Sequence, residues 1–227
     1  KKYVEQVTTY PTVTVHKSFF TDSQGYLILP KHLEIGHYRI EEVTAPDGYV
    51  VNKNYVEITV DSDTAYEVDG VSGDVIIEVS YEDQPVKGNL IVYKKGEMLS
   101  GFENDFIYEE QYLSGAEFEV RAAEDICTPD HQKDADGNRI VLYAKDTLVA
   151  TITTGESGKA VAKDLPLGRY YVVETKAPEG FVLNPEPVTV ALTYQDQETP
   201  VVEAEAMVGN DRQKVSISVE KQDIENG

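Results

Sequence analysis

The segment Glu174-Thr-Lys-Ala-Pro-Glu-Gly-Phe181 and its near copy Glu42-Val-Thr-Ala-Pro-Asp-Gly-Tyr49 decide how this chain folds. Each segment follows a short alternating run that begins at a tyrosine, Tyr170 in one case and Tyr38 in the other. A pattern that recurs within one chain indicates a repeat architecture. The 227 residues are therefore expected to hold more than one copy of a single structural unit.

A second spacing recurs where one copy ends and the next begins. Lys94 follows Asp83 at the same distance at which Lys221 follows Asn210. This spacing predicts a division into residues 1–86, residues 87–212 and residues 213–227. The first is a repeat expected to lack its first strand, the second is a complete repeat, and the third is the first strand of a following repeat.

Apolar and polar side chains alternate throughout these segments, which is typical of half-buried antiparallel strands. Short strands separated by Gly, Pro and Asp turns indicate a β-sandwich. The sequence therefore predicts an all-β fold of tandem immunoglobulin-like sandwiches. Helix is expected at most as a single turn in the acidic segment 101–111.

Composition excludes several classes of function. The formal net charge of −21 argues against binding to a nucleic-acid backbone. The single cysteine, Cys127, excludes an intrachain disulfide and is expected to be inert. No apolar run reaches the length of a membrane helix. No metal or cofactor is expected, because the alternate oxygen donors of Asp134-Ala-Asp-Gly-Asn138 lack a distal glutamate and are typical of a solvated hairpin turn.

Three apolar stripes end in polar residues that we expect to face one core. Leu90 and Val92 lead to Lys94, the Tyr170 strand leads to Glu174, and the last strand leads to Asn210. Buried charges must be paired or neutralised, and desolvation lowers the pKa of a buried lysine. A neutral amine is a nucleophile, and a protonated carboxyl can shuttle protons to a neighbouring amide. The alternative is that these residues pair or snorkel at the strand ends.

The second repeat resembles the Cna B-type domains, the prealbumin-like SpaA-type repeats of Gram-positive pilins and adhesins. The resemblance rests on the Glu174–Phe181 motif, on Gly88-Asn-Leu-Ile-Val-Tyr-Lys94 and on the closing Val208-Gly-Asn210. It implies a prealbumin-like sandwich in which Lys94 forms an isopeptide bond with Asn210. In this resemblance Glu174 is the catalytic acid/base of a single-turnover self-crosslinking reaction, and the chain is not a turnover enzyme.

The same resemblance implies a structural stalk or shaft module, extracellular and attached to the cell wall through an anchor outside this segment. Its partners would be neighbouring repeats of the same protein. The alternative function is a ligand-binding adhesin module that contacts a host extracellular protein or glycan through the insertions 101–111 and 124–142. Insertion into a membrane is not expected for this segment.

The first repeat carries only part of the site. Glu42 and Asp83 match the acid/base and the closing residue, but no lysine precedes them at the required spacing. Lys221 near the other end is a lysine without a domain of its own. One hypothesis is that the tail of one molecule adds a strand to the first repeat of another, and the alternative is a cut in a longer array.

Overall fold

The computed structural model describes residues 2–61, 67–68, 75–129 and 133–221, and these residues form strands but no helix. The first strands are β1 (Gln6–Thr8), β2 (Thr14–His16), β3 (Gly36–Glu41), β4 (Tyr49–Val50), β5 (Tyr55–Val60), β6 (Glu67–Val68), β7 (Val75–Ile76) and β8 (Gln84–Pro85). The later strands are β9 (Lys87–Phe102), β10 (Phe106–Tyr112), β11 (Glu117–Ala122), β12 (Ile126–Cys127), β13 (Val141–Tyr143), β14 (Leu148–Thr153), β15 (Lys159–Pro166), β16 (Gly168–Lys176), β17 (Val188–Leu192) and β18 (Val201–Asn210). The predicted all-β fold is confirmed. A search of the described residues for a helix able to span a membrane finds none.

The chain divides into two compact units. The first unit comprises Lys1–Glu42 and Lys53–Ser80, and the second comprises Val43–Asn52 and Tyr81–Gly227. The segment Val43–Asn52, which the sequence pattern assigns to the first repeat, therefore packs as part of the second unit. The division into residues 1–86, 87–212 and 213–227 describes the sequence repeats and stays a prediction.

The first unit consists of antiparallel strand pairs, β1 with β2, β3 with β5 and β6 with β7. The sequence predicts that Tyr38 and Ile40 face a core together with Glu42. That expectation is wrong for Ile40, which is exposed, while Tyr38 is only half-buried. The reason is that β3 pairs with β5 alone, and no facing sheet covers it among the described residues of this unit.

The second unit is a sandwich of two four-stranded sheets. In one sheet, the first half of β9 lies between antiparallel β15 and parallel β18, and its second half pairs with β10. The other sheet has the order β14-β11-β16-β17. Buried side chains from both sheets form one core, which includes Leu90, Val92, Phe118, Val120, Tyr170 and Val172.

Two segments differ from the sequence-based expectation. Residues 101–111 form no helical turn, because β9 continues to Phe102 and returns as β10 in a hairpin. Residues 213–221, expected to be a strand, pair with no strand in the described chain, although the Gln213 N–H bonds the Gly180 carbonyl at 2.9 Å. Val215, Ile217 and Val219 are exposed. Their interpretation as the first strand of a following repeat stays a prediction, and residues 222–227 lie outside the described part of the chain.

Gly96 lies in β9 beside the end of its neighbouring strand β18. It lies opposite Asn210, and a Cβ atom there would be 2.5 Å from Phe181 Cε1 and 2.8 Å from Leu113 Cδ1. Real Cβ atoms do not approach so closely, so the core has no room for a larger residue.

We expect Gly96→Ala to lower the free energy of unfolding by about 1–3 kcal/mol, because the added methyl overpacks the contact with Phe181 and Leu113. Gly209→Ala is the matched control, because no atom lies within 4 Å of the Cβ position on this neighbouring residue of β18. Urea denaturation of both variants measures the effect. Equal stability of the two variants would contradict the packing described here.

Candidate functional site

Three strands carry Lys94, Glu174 and Asn210 into the core of the second unit. Their residues are 0%, 3% and 8% exposed, respectively. Each follows buried apolar residues on the same face of its strand, as the alternation predicts. Of the alternative interpretation, the part in which these side chains reach solvent at the strand ends is wrong, whereas Lys94 and Glu174 do form an ion pair.

The register of the strands explains how the three side chains meet. β18 runs parallel to β9 with Val208 opposite Lys94 and Asn210 opposite Gly96. Alternate residues of a strand share a face, so Lys94 and Asn210 point into the same core. Glu174 approaches from the other sheet, where β16 pairs with β11. Because Gly96 has no side chain, Phe181 and Leu113 can pack closely against its backbone beside Asn210.

The polar atoms of the three residues satisfy one another. Lys94 Nζ donates a hydrogen bond to Asn210 Oδ1 and lies 3.1 Å from Glu174 Oε1. Asn210 Nδ2 donates to both carboxylate oxygens of Glu174, at 3.0 and 2.9 Å. The amine thus contacts the carbonyl side of the carboxamide, and the carboxyl contacts its nitrogen.

Burial shifts the protonation of the Lys94 side chain toward the neutral amine. Burial lowers the pKa of Lys94 below its ordinary value, and the hydrogen bond and charge of Glu174 offset only part of this effect. Since a neutral amine is nucleophilic, the arrangement can support attack on the adjacent carboxamide. The Glu174 carboxyl lies about 3 Å from both the Lys94 amine and the Asn210 amide nitrogen, so it can exchange protons with both.

Asn184 is a member of this site that the sequence reasoning missed. Its backbone N–H donates to Glu174 Oε2 at 2.8 Å, and its side-chain Nδ2 donates to the Gly209 carbonyl at 3.1 Å. It therefore ties the loop after Glu174 to the end of β18. The sequence signal was present, because Asn52 occupies the equivalent position in the first repeat and donates to the Glu82 carbonyl at 2.9 Å.

The partial site of the first repeat is distributed differently. Glu42 belongs to the first unit and Asp83 to the second. Asp83 Oδ1 is buried and has no hydrogen-bond partner among the described residues. Lys221 is exposed. A common site of Glu42, Asp83 and Lys221 stays a prediction.

The oxygen-rich turn at residues 134–138 uses its carboxylate internally. Asp134 Oδ1 accepts hydrogen bonds from the backbone N–H groups of Asp136 and Asn138, at 3.0 and 2.8 Å. This pattern is an Asx turn closing a hairpin. The described residues contain no group of three His, Cys, Asp or Glu side chains that could hold a metal ion.

Comparison with known proteins identifies the family. The family model for the SpaA prealbumin-like fold domain matches residues 4–73 and 107–207. The chain belongs to this family of prealbumin-like domains.

Solved structures with a similar fold include three from Gram-positive bacteria. The Bacillus anthracis TIE protein matches 92% of this chain over 30% of its own length, with 23% identity and a TM-score of 0.50. The major pilin SpaD of Corynebacterium diphtheriae matches 56% of this chain over 32% of its own, with 25% identity and a TM-score of 0.36. The shaft pilin SpaA of Lactobacillus rhamnosus GG matches 90% over 73%, with 14% identity and a TM-score of 0.34.

The chain spans about a third of the length of the first two of these proteins. A search of curated proteins found no match.

The lowered pKa of Lys94 predicts a pH-dependent stability once its amide partner is removed by Asn210→Ala. The unfolded chain binds the Lys94 proton up to about the ordinary value of 10.5, whereas the folded chain releases it at lower pH. The unfolded state therefore holds more protons in this window, and the free energy of unfolding rises as pH increases toward 10.5.

Urea denaturation at a series of pH values measures this trend. The control is the double variant Lys94→Met with Asn210→Ala, which lacks the amine but shares every other titrating group. We expect the single variant to gain stability relative to the double variant as pH rises. A difference that does not change with pH would contradict the assignment.

Proposed function

We propose that the second repeat locks itself with an amide bond between Lys94 Nζ and Asn210 Cγ, with Glu174 as the acid/base. The observation that supports this most strongly is the buried contact in which the Lys94 amine meets the carboxamide while Glu174 holds its nitrogen. The bond would convert a buried ionic cluster into a neutral amide and a carboxylic acid. That change would remove the cost of burying an isolated charge.

The reaction balances within these three residues. Glu174 takes a proton from the Lys94 ammonium, and the neutral amine attacks Cγ of Asn210. The Nζ–Cγ bond forms and the Cγ–Nδ2 bond breaks. Glu174 passes the proton it has taken to Nδ2, which leaves as ammonia, and it then takes the second proton that Nζ gives up, so that Glu174 ends as a carboxylic acid. Because the reacting groups are already in contact, positioning supplies part of the barrier reduction.

The position of the bond suits a load-bearing role. β9 is the first strand of the second repeat and β18 is its last, and the two lie side by side and parallel. A bond between them carries tension that the hydrogen-bond ladder would otherwise bear. We therefore propose a stalk or shaft module of a Gram-positive pilin or adhesin, extracellular and wall-attached, with neighbouring repeats of the same protein as its partners.

The mass of the intact purified chain tests the bond. We expect it to be lower than the sequence mass by one ammonia. Lys94→Ala and Glu174→Ala should each retain their full sequence mass, because one lacks the nucleophile and the other the proton carrier. Lys95→Ala is the control, since this neighbouring lysine contacts Glu110 at the surface and should not affect the loss. An unmodified mass of the parent chain would refute the proposal.

Single-molecule stretching through the two termini tests the load-bearing role. Lys94 and Asn210 are 116 positions apart, so the bond would withhold about 400 Å of chain from extension. Asn210→Ala should release that length in an unfolding event. The bond should also stabilise the fold by about 4–5 kcal/mol if it acts as a disulfide of similar loop length does. Release of the full length by the parent chain would contradict the role.

A second candidate function is ligand binding by the hairpin that replaces the predicted loop 101–111. The aromatic rings of Phe102 and Phe106 contact each other at a centroid distance of 5.3 Å and are both exposed at its tip. Exposed aromatic side chains are frequent in binding sites for proteins and glycans. Pull-down of a host protein or glycan that survives Phe102→Ser and Phe106→Ser would exclude the hairpin tip.

The buried, unpartnered Oδ1 atom of Asp83 supports a further proposal about strand exchange. Lys221 from the tail of a second molecule would bond to Asp83 by loss of water. The expected result is a ladder of covalent oligomers on a denaturing gel that disappears in Lys221→Ala and in Asp83→Ala. Only monomers in the parent chain would refute this proposal.

A further inference from the structure

The loop Val43–Asn52 is clasped by one glutamine of the second unit. Gln197 Oε1 accepts the Ala45 N–H at 3.1 Å, and Gln197 Nε2 donates to the Val43 carbonyl at 3.3 Å. The backbone carbonyl of Gln197 accepts the Val51 N–H at 3.0 Å. The glutamine thus binds the loop through the loop's backbone rather than through its side chains.

Apolar packing accompanies the clasp. Val51 is only 7% exposed, and Ala45 is buried as well. Gly48 lies against Pro129, and a Cβ atom on Gly48 would be 2.3 Å from Pro129 Cβ. We call Gln197 and Pro129 the acceptor surface, and Val43–Asn52 the first docking loop.

The same loop recurs in the second repeat as residues 175–184, which we call the second docking loop. Both loops contain the same turn, in which the Tyr49 N–H bonds the Pro46 carbonyl and the Phe181 N–H bonds the Pro178 carbonyl, each at 3.1 Å. Both are tied to the end of their own repeat. The ties are Val86 N–H to Gly48 O at 2.8 Å, Gln213 N–H to Gly180 O at 2.9 Å, and the equivalent side-chain bonds of Asn52 and Asn184.

The two loops differ in what covers them. Leu183, the equivalent of Val51, is 44% exposed, and Val182 is 49% exposed. Among the residues that the structure describes, no atom lies within 4 Å of the Cβ position of Gly180, whereas the equivalent Gly48 is packed against Pro129. The second docking loop therefore has the same turn as the first docking loop, but its apolar residues Val182 and Leu183 stay exposed.

We propose that the second docking loop binds a further copy of the same β-sandwich, one that carries an acceptor surface like that of Gln197 and Pro129. A repeat of this kind would recognise the loop's backbone through its glutamine and bury Leu183 as this unit buries Val51. The contact is heterologous, and its repetition builds an open array rather than a closed dimer.

The acceptor surface of the present chain is already occupied by its own first docking loop. A second intact copy of this chain is therefore not the occupant, and the partner is a repeat whose acceptor surface is free. The inference deepens the proposed role of neighbouring repeats as partners, but it does not depend on the Lys94–Asn210 bond.

The first experiment asks whether the second docking loop fits the acceptor surface of the chain as it exists. Five substitutions give the first loop the sequence of the second: Val43→Thr, Thr44→Lys, Asp47→Glu, Tyr49→Phe and Val51→Leu. We expect the amides of Ala45 and residue 51 to keep their hydrogen-exchange protection within about threefold. Adding Gln197→Ala should lower the protection of the Ala45 amide at least tenfold because it removes the Oε1 acceptor, whereas residue 51 keeps the backbone carbonyl of residue 197. Loss of protection in the variant that carries only the five loop substitutions would overturn the proposal.

The second experiment supplies a free acceptor surface. Residues 87–213 are duplicated in tandem, so that the second docking loop is followed by a whole sandwich. We expect the amides of Ala177 and Leu183 in the first copy to exchange at least tenfold more slowly than in the parent chain. Gln197→Ala in the added copy should abolish this gain at Ala177, whose acceptor would be the glutamine Oε1, whereas the same change in the original copy should expose only the Ala45 amide.

Unchanged exchange of Ala177 and Leu183 beside a folded added copy would overturn the proposal. Folding of that copy is read from the number of slowly exchanging amides, which should rise by the number that the single sandwich contributes. If the added copy does not fold, the variant with five substitutions in the first docking loop decides the question by itself. If the loop amides are protected but the chain has lost no ammonia, the isopeptide bond is refuted and the docking proposal stands.

Discussion

The parallel pairing of β9 with β18 is the constraint on which the rest of the second unit depends. It brings the first and last strands of the sandwich together, with Lys94 and Asn210 on the same face of one sheet. Neighbouring parallel strands cannot be joined by a tight turn, so this contact closes a long loop, with Lys94 and Asn210 116 positions apart. A contact across so long a loop is one for which a covalent bond adds most.

Burial is the reason that we propose a chemical role for this contact in addition to a structural one. A lysine at 0% exposure must be paired, neutralised or bonded, and the core offers it one carboxylate and one carboxamide. An ion pair alone would leave the cost of desolvation in the folded state. The proposed amide would remove the charge of the lysine, and it would fill the role that disulfides have in many extracellular domains, which the single Cys127 cannot.

The sequence predicts the site better than it predicts the division of the fold. Period-two alternation is a local property, and it correctly directs Lys94, Glu174 and Asn210 into one core. The packing of Val43–Asn52 with the second unit depends on contacts with Gln197, more than a hundred positions away, which no local pattern records. Asn184 was missed because its main contribution to the site is a backbone N–H, although its repetition as Asn52 was visible.

The lock and the docking loop share a segment of chain. Residues 175–184 begin directly after Glu174 and end at Asn184, whose N–H holds the Glu174 carboxylate while its side chain holds the end of β18 next to Asn210. Seating this loop on a following repeat would restrict both ends of the segment that orients the acid/base. Loss of such freedom lowers the cost of reaching the reactive geometry. Two features that the sequence presents as one short motif, the glutamate and the loop after it, would thus join the proposed chemistry within a repeat to the proposed contact between repeats.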